Sequence, residues 1–481
     1  VPWPANRFWV GTVCTLTLGA IAGSLWFSIQ YLINPDVAFW MDDWVMGITS
    51  PSNSQAERPK SLDDIEATLR QDGKQVGTVF TLKTQFGFHR GINTPKTLLI
   101  PVISSLGDCT TCQGITELRH YRALQLPVLI RLFQAQPLFR LTEKITVQGT
   151  PVSDLLALEQ ASLLSNSSEQ SLPLTQMERY DIAPQPGTWF RLTGLKTQGS
   201  GTSTFGQVFY YDLQRDRLSL MLKWASPPGD FPQWQEVTGS AQPELVINQT
   251  VGAEPKYAVY ELKLSNGVAS QLKPIRLDNP VSTHPDYQDG LRLARSGLWS
   301  AALERLNRAQ SSKSDWNAAA QAQRDVVQLH AKMAQFQAEQ PASSPAQRVL
   351  GYLLNGSWKP ALQVFQANQA ASSEVKELLA TDTGRIQNRI AATLALQPDH
   401  PEAIAWEALF KQLQGSTAQA ITWTQKQAKG NPGILKSVKQ VLQQMEKAGQ
   451  PLPTPSPQKP PDPKASQSAS PQTKPDATPS P

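Results

Sequence analysis

Cys109 and Cys112 stand two residues apart in the stretch SSLGDCTTCQGITEL, residues 104 to 118. That spacing suits a redox dithiol, half of a zinc site, or a short structural disulfide. A redox pair needs its first thiol at a helix N-terminus, where the dipole lowers the thiol pKa. The apolar run TLLIPVIS precedes the pair, and ITELRHYRAL after it reads as a helix, which gives a strand, dithiol, helix order. Against this, GDCTTC lacks the aromatic and proline that often flank redox dithiols. A zinc site needs two further ligands. His120 and His89 are the candidates, but His120 follows Cys112 by eight residues, which is not finger spacing. The preferred reading is a Cys109–Cys112 structural disulfide in an oxidising compartment. The redox pair and the metal site stay open as alternatives.

The remaining sequence holds little catalytic chemistry. It has no GxSxG, HExxH, P-loop or dinucleotide-binding glycine pattern. His284, His330 and His400 have no neighbouring cluster of polar partners. No cofactor and no catalytic residue beyond the cysteine pair is expected. A net charge of +5 over 481 residues, without basic runs interleaved with aromatics, argues against nucleic acid as a partner. Trp189, Phe209, Tyr210, Tyr211, Trp224, Phe231 and Trp234 have the chemistry to stack on sugars if exposed. Alternating strands bury aromatics by default, so core filling is the expectation for them.

These residues must be positioned by elements of several kinds. Phe8 to Ile33 carries no charge and is long enough to cross a bilayer as a helix. Arg7 precedes it, and Asp36, Asp42 and Asp43 follow. The positive-inside rule then puts residues 1–7 in the cytoplasm and the bulk in a periplasm or thylakoid lumen. Gly11, Thr15, Gly19 and Gly23 recur every four residues, a spacing that lets two membrane helices pack closely. Self-association and a lipid bilayer therefore join the expected partners. Residues 34–74 are read as an interfacial segment, a linker and a short helix. In that helix Ser61 and Asp64 form the N-terminal cap and Gly73 the stop.

From 75 to 280, short β-branched and aromatic runs separated by Gly, Pro, Asn and Asp predict a mainly-β domain of sandwich or barrel type. A hairpin is expected at DLQRDR (212–217), and a helix with a loop between Pro151 and Pro186. From 281 to 449 the pattern is helical and repeats. Gly297-Leu298-Trp299, Gly356-Ser357-Trp358 and Gly415-Ser416-Thr417 recur 59 residues apart, followed in each unit by Leu303, Leu362 or Ile421. A fixed period with a glycine turn predicts a helical solenoid in which each unit ends in a longer third helix. Trp299 and Trp358 are its expected packing keystones. Residues 450–481 are rich in Pro, Ser, Thr and Lys and are expected to be disordered.

The Gly-x-Trp-x-x-Ala-Leu core resembles the tetratricopeptide repeat, although the usual unit is about 34 residues. That resemblance implies a protein-binding groove. The stretch LSLMLKWASPPGDFPQWQEVTGSAQPELVINQTVG (218–252), with LWSAAL, is similar to uncharacterised cyanobacterial single-pass membrane proteins, which implies a thylakoid or plasma membrane setting. The expected whole is multidomain: a transmembrane helix at 8–33, a β domain at 75–280, a tetratricopeptide-like repeat domain at 281–449 and a disordered tail. The expected role is a non-enzymatic, membrane-anchored scaffold or assembly factor that binds membrane proteins or subunits of a membrane complex. The alternatives are a thiol-disulfide oxidoreductase and a cell-envelope polysaccharide binder.

Overall fold

A computed structural model of the chain describes residues 6–33, 59–83, 96–106, 109–124, 136–151, 171–180, 182–184, 186–198, 201–240, 242–312, 315–340, 343–368, 371–429 and 431–447. The expected tail, most of the linker, His89 and the aromatic residues just after 33 lie outside these ranges. Helix α1 (Asn6–Ile33) comes first. Among the described residues no helix is long and apolar enough to cross a membrane. This overturns the transmembrane helix expected at 8–33. The single-pass anchorage, the cytoplasmic N-terminus, the periplasmic or lumenal placement and the bilayer as partner all depended on it, and they go with it. Thr15, Thr17, Gly19, Gly23, Ser24 and Ser28 interrupt the apolar side chains. The Ser24 and Ser28 hydroxyls turn back to donate to the Ile21 and Ser24 carbonyls, at 2.9 and 2.8 Å.

Helix α2 (Leu62–Gln71) starts at a capping box: the Ser61 hydroxyl accepts from the Asp64 N–H, and the Asp64 carboxylate accepts from the Ser61 N–H. Its buried stripe, Ile65 and Leu69, lies on the first sheet. That sheet has the order β1–β3–β4–β5 with β2 also paired to β3, all antiparallel. The strands are β1 (Gln75–Val76), β2 (Phe80–Lys83), β3 (Lys96–Leu106), β4 (Cys109–Ala123) and β5 (Phe139–Thr146). Along β3 the side chains alternate in destination. Leu98, Ile100 and Val102 pack under α2, while Leu99 packs on the next sheet. Both faces are covered, which is why TLLIPVIS is apolar without a polar alternation.

A two-stranded ribbon, β6 (Thr150–Pro151) with β7 (Ser171–Leu172), leads to the second sheet. Its order is β8 (Gln176–Arg179), β9 (Thr188–Gln198), β10 (Gly201–Asp212) and β11 (Arg217–Ser226). Strands β7 and β8 replace part of the helix expected between 151 and 186; residues 152–170 lie outside the described ranges. The hairpin at 212–217 is present between β10 and β11: Asp212 Oδ1 accepts from the Gln214 and Arg215 N–H groups, and Asp216 sits at φ 52°. Phe209 and Tyr211 face the first sheet, while Val208 and Tyr210 face the third. The third sheet runs β12 (Gln233–Gln235), β13 (Glu244–Asn248), β14 (Tyr257–Ser265) and β15 (Val268–Pro274). Leu245 and Ile247 pack on the second sheet, and Val246 between them packs with Val259 on Val326 of the helical region. The β region is thus three stacked sheets, where one sandwich or barrel was expected.

The helical region contains α3 (Pro285–Arg295), α4 (Trp299–Ser311), α5 (Ala318–Ala338), α6 (Pro345–Asn355), α7 (Trp358–Ala367), α8 (Ser372–Ala380), α9 (Arg385–Leu396), α10 (Pro401–Gln414), α11 (Thr417–Gln427) and α12 (Pro432–Lys447). One apolar cluster runs through all three units. Gly297 and Gly356 both turn at φ 77°, a left-handed conformation in which glycine carries no Cβ penalty. Gly415 does not share it, with φ −145°. The third helix of the middle unit is split into α8 and α9. Gly384 breaks it at φ 93°, and the Asp382 carboxylate accepts from the N–H groups of Gly384 and Ile386. Trp358 is buried, 2% exposed. Trp299 is only half-buried and packs toward the β region, so of the two expected keystones one lies at the seam.

His330 of α5 fixes that seam. Its Nδ1–H donates to the Val326 carbonyl at 2.8 Å, and its Nε2 accepts the Tyr257 N–H at 2.9 Å. Trp299 stacks on the ring at 4.1 Å, and Tyr257 meets it edge-on. Both nitrogens are committed to the neutral form. Burial lowers the His330 pKa from 6.5 to about 4, and the bond to Val326 opposes this only in part. The folded pKa lies below the unfolded one, so this stabilisation is complete above pH 6.5 and is lost as pH falls through about 4. The change amounts to roughly 3 kcal/mol. Urea unfolding from pH 7 to pH 4 should show wild type losing that much more stability than His330→Gln. Parallel profiles for the two proteins would contradict this account of the ring.

Candidate functional site

A recess within the repeats has a volume of about 490 Å3 and lies between the first and second units, with His400 and Glu402 at the start of α10 on its edge. The left-handed Gly356 turn lines it. The chain entering α4 lies against that turn, with Leu298 abutting Gly356. Asn355, the last residue of α6, ties them together. Its Nδ2 donates to the Ser300 hydroxyl at 2.7 Å and the Ser357 hydroxyl at 3.1 Å, and its Oδ1 accepts the Ser300 N–H at 3.3 Å. The side chain is 1% exposed, so these bonds replace water fully. Trp358 lines the recess next to it. The Trp358 backbone carbonyl accepts the Trp406 indole N–H from α10 at 3.2 Å, while its own indole N–H is buried without a partner.

The walls carry charge of both signs. Arg305 on α4 donates to Asp286 of α3 at 2.9 Å, and Arg308 lies 3.6 Å from the same carboxylate. The bond from Arg305 holds the Asp286 carboxyl below the usual carboxylate range. Lys359 adds a cation, and Glu304, Glu339 and Glu402 supply the anions. A recess of this kind, floored by amide and hydroxyl groups and rimmed by charges of both signs, can hydrogen-bond an extended or helical polypeptide and set its register by charge.

The expected site residues are scattered. Cys112 is disulfide-bonded; the Cys109 side chain lies outside the described residues. Both cysteines belong to strand β4, and ITELRHYRAL, read as a helix, continues that strand to Ala123. The segment after the pair is therefore not a helix whose N-terminus could lower a thiol pKa. His120 lies eight residues along the same strand from Cys112, roughly 26 Å at about 3.3 Å per residue. Among the described residues no group of three or more His, Cys, Asp or Glu is placed to hold a metal ion. On α1, nothing lies within 4 Å of a Cβ built at Gly19 or Gly23. In the repeats, Leu362 is buried, and Leu303 and Ile421 pack half-buried on the core.

Of the aromatics singled out for sugar stacking, Trp189, Phe209, Tyr210, Tyr211 and Trp224 are buried. Trp234 packs edge-on against Trp189 at 5.0 Å. Phe231 is the most exposed of the seven, and the Arg191 guanidinium lies 4.0 Å over its ring.

A second polar constellation joins the first two sheets. The Tyr211 hydroxyl donates to Asp216, whose carboxylate stands 3.4 Å from His120 Nε2, and His120 Nδ1 lies 2.7 Å from the Thr142 hydroxyl. The order of groups resembles a proton relay. But Tyr211 and His120 are 0% and 1% exposed, and burial pushes the Tyr211 hydroxyl pKa well above its usual value. These groups clasp two sheets, with the Tyr211 and His120 rings inside the core and Asp216 and Thr142 at its edge.

Sequence reasoning missed Asn355, Asp286 and the roles of Arg305 and Arg308. Only the position of Asn355 immediately before a repeat glycine signalled it. No protein-family model, no curated protein and no solved structure matches the chain.

Asn355→Ala would strand the Ser300 and Ser357 groups in a dry floor, at a cost of about 1–3 kcal/mol. Equilibrium urea unfolding measures it; a loss under about 0.5 kcal/mol would mean that water already serves these groups.

Proposed function

We propose that this chain is a non-enzymatic scaffold or assembly factor that holds a polypeptide segment of a partner protein in the recess between its first two helical units. The observation that carries the reading is the recess itself: it is lined by the Gly356 turn, floored by the Asn355 network and rimmed by Arg305, Arg308 and Lys359 against Glu304, Glu339 and Glu402. Paired helices that stack on one continuous core leave such a surface between neighbouring units. The stacked sheets brace the first unit through α5. The thiol oxidoreductase alternative is less well supported, because the cysteine pair lies on a strand and no helix follows it to activate a thiol. The polysaccharide alternative draws on aromatics that fill cores.

The test places a photo-crosslinking amino acid at Ala301, inside the recess, or at Lys439, an exposed site on α12, in cells that make the full chain. Discrete protein adducts are expected from position 301 only, and Lys359→Glu should remove them without changing the melting temperature. Identical adducts from both positions, or none from 301, would overturn the reading.

A further inference from the structure

A second cavity, of about 610 Å3, opens at the seam between the third sheet and the helices. Four cations line it: Lys256 from the loop before β14, Arg295 at the end of α3, and Arg385 and Arg389 on α9. One carboxylate, Glu254, faces them. Glu254 is shared between Arg385 Nη1 at 3.2 Å and Arg389, whose Nη1 and Nη2 lie at 3.4 and 3.1 Å. This clamp joins the two regions and accounts for one negative charge against two positive ones.

The other two cations add nothing to the clamp. Arg295 hydrogen-bonds the Asp278 carbonyl at 3.4 Å and lies near enough to the Asp278 carboxylate to favour its charge, and no ion pair involves Lys256 among the described residues. Arg389 is nine-tenths buried, and its Nε has no partner. The Arg389 guanidinium lies against Gly297, where a Cβ would fall 2.5 Å from Nη2, so the left-handed turn of the first unit also makes room for this charge. Asp382, whose carboxylate lies 4.0 Å from Arg385 Nε, is the other anion beside this cluster. Two positive charges remain in excess around the cavity, and their mutual repulsion is relieved when an anion enters.

We propose that the seam cavity is a binding site for a phosphate-bearing small molecule, with Glu254 as the internal carboxylate that competes for its arginines. Guanidinium forks match phosphate oxygens in bidentate geometry, and Lys256 supplies a mobile point charge. The volume falls in the range of small-molecule sites. Trp299, which lines the cavity and has one face covered by His330, offers an aromatic wall for an organic part of the ligand. This inference does not depend on the recess between the repeats.

The test is calorimetric titration of the full chain with inorganic pyrophosphate, adenosine monophosphate and citrate as probes, and with inorganic phosphate as the reference for the tryptophan wall. Pyrophosphate is expected to bind. Adenosine monophosphate should bind more tightly than inorganic phosphate if the tryptophan wall contributes. Lys256→Gln with Arg295→Gln leaves the Glu254 clamp intact and should weaken pyrophosphate binding about tenfold or more. Glu254→Gln should tighten it by a similar factor, equivalent to about 1.4 kcal/mol. Lys359→Gln, in the other recess, should leave it unchanged. Absence of binding by either phosphate probe to both wild type and Glu254→Gln would overturn the proposal. So would equal affinity in the Lys256, Arg295 double variant, and so would tighter binding of citrate than of both phosphate probes, which would assign the site to carboxylates.

Discussion

The sheet β8–β11 has both of its faces out of water, and the rest of the molecule is arranged around that constraint. Val208, Phe209, Tyr210 and Tyr211 follow one another in β10 and are all buried. A strand sends successive side chains to opposite sides, so such a run is stable only if each side is covered by a further apolar layer. The first sheet covers one side through Leu99 and Leu118, and the third sheet covers the other through Leu245 and Ile247. Each cover has a second face of its own to bury. Helix α2 closes the first sheet and α5 closes the third. The helical region is therefore the outer layer of a stack that begins at β10.

Polar groups fix how these layers meet, because apolar contact alone is not directional. His330 gives its lone pair to the Tyr257 N–H, and the Gln323 amide donates to the carbonyls of Arg276 and Asn279. Glu254 reaches across to Arg385 and Arg389. Between the first two sheets the Tyr211, Asp216, His120 and Thr142 chain does the same. Nearby, Glu117 sits among Lys74, Arg119 and Lys144. Burial works against its ionisation, but the three cations outweigh burial and bring its pKa down to about 2. A buried polar group that loses its partner costs more than the bond contributed, so each contact discriminates against a slipped layer.

The repeats are similar in sequence and unequal in structure. Gly297 and Gly356 make the same left-handed turn, yet one abuts Arg389 and the other abuts Leu298. Trp299 and Trp358 follow them in equivalent positions. The first stacks on His330 at the seam, and the second enters the core beside Trp406. The difference arises from neighbours: the first unit borders a β-sheet and the second borders another helical unit. The recess between them and the cavity at the seam both depend on that asymmetry, which the 59-residue period does not reveal.

Local chemistry alone settled several elements. The capping box at Ser61 and Asp64, the hairpin at Asp212 to Arg217, the strand-rich stretch up to Pro274 and the glycine-centred helical turns were legible because each rests on contacts within a few residues. Absence of charge over residues 8–33 does not amount to continuous apolarity: glycine and hydroxyl residues interrupt the surface of α1, and among the described residues no helix is apolar enough to cross a membrane. The segment after Cys112 was read as a helix although it is strand β4: its pairing with β3 and β5 outweighs local preference. Only the tertiary structure decided where charge and hydrogen bonding converge. Asn355 meets Ser300, His330 meets Tyr257 and Glu254 meets Arg389 across 55, 73 and 135 residues of chain. No periodicity or local spacing encodes such a meeting, because the stacking of layers brings the partners together.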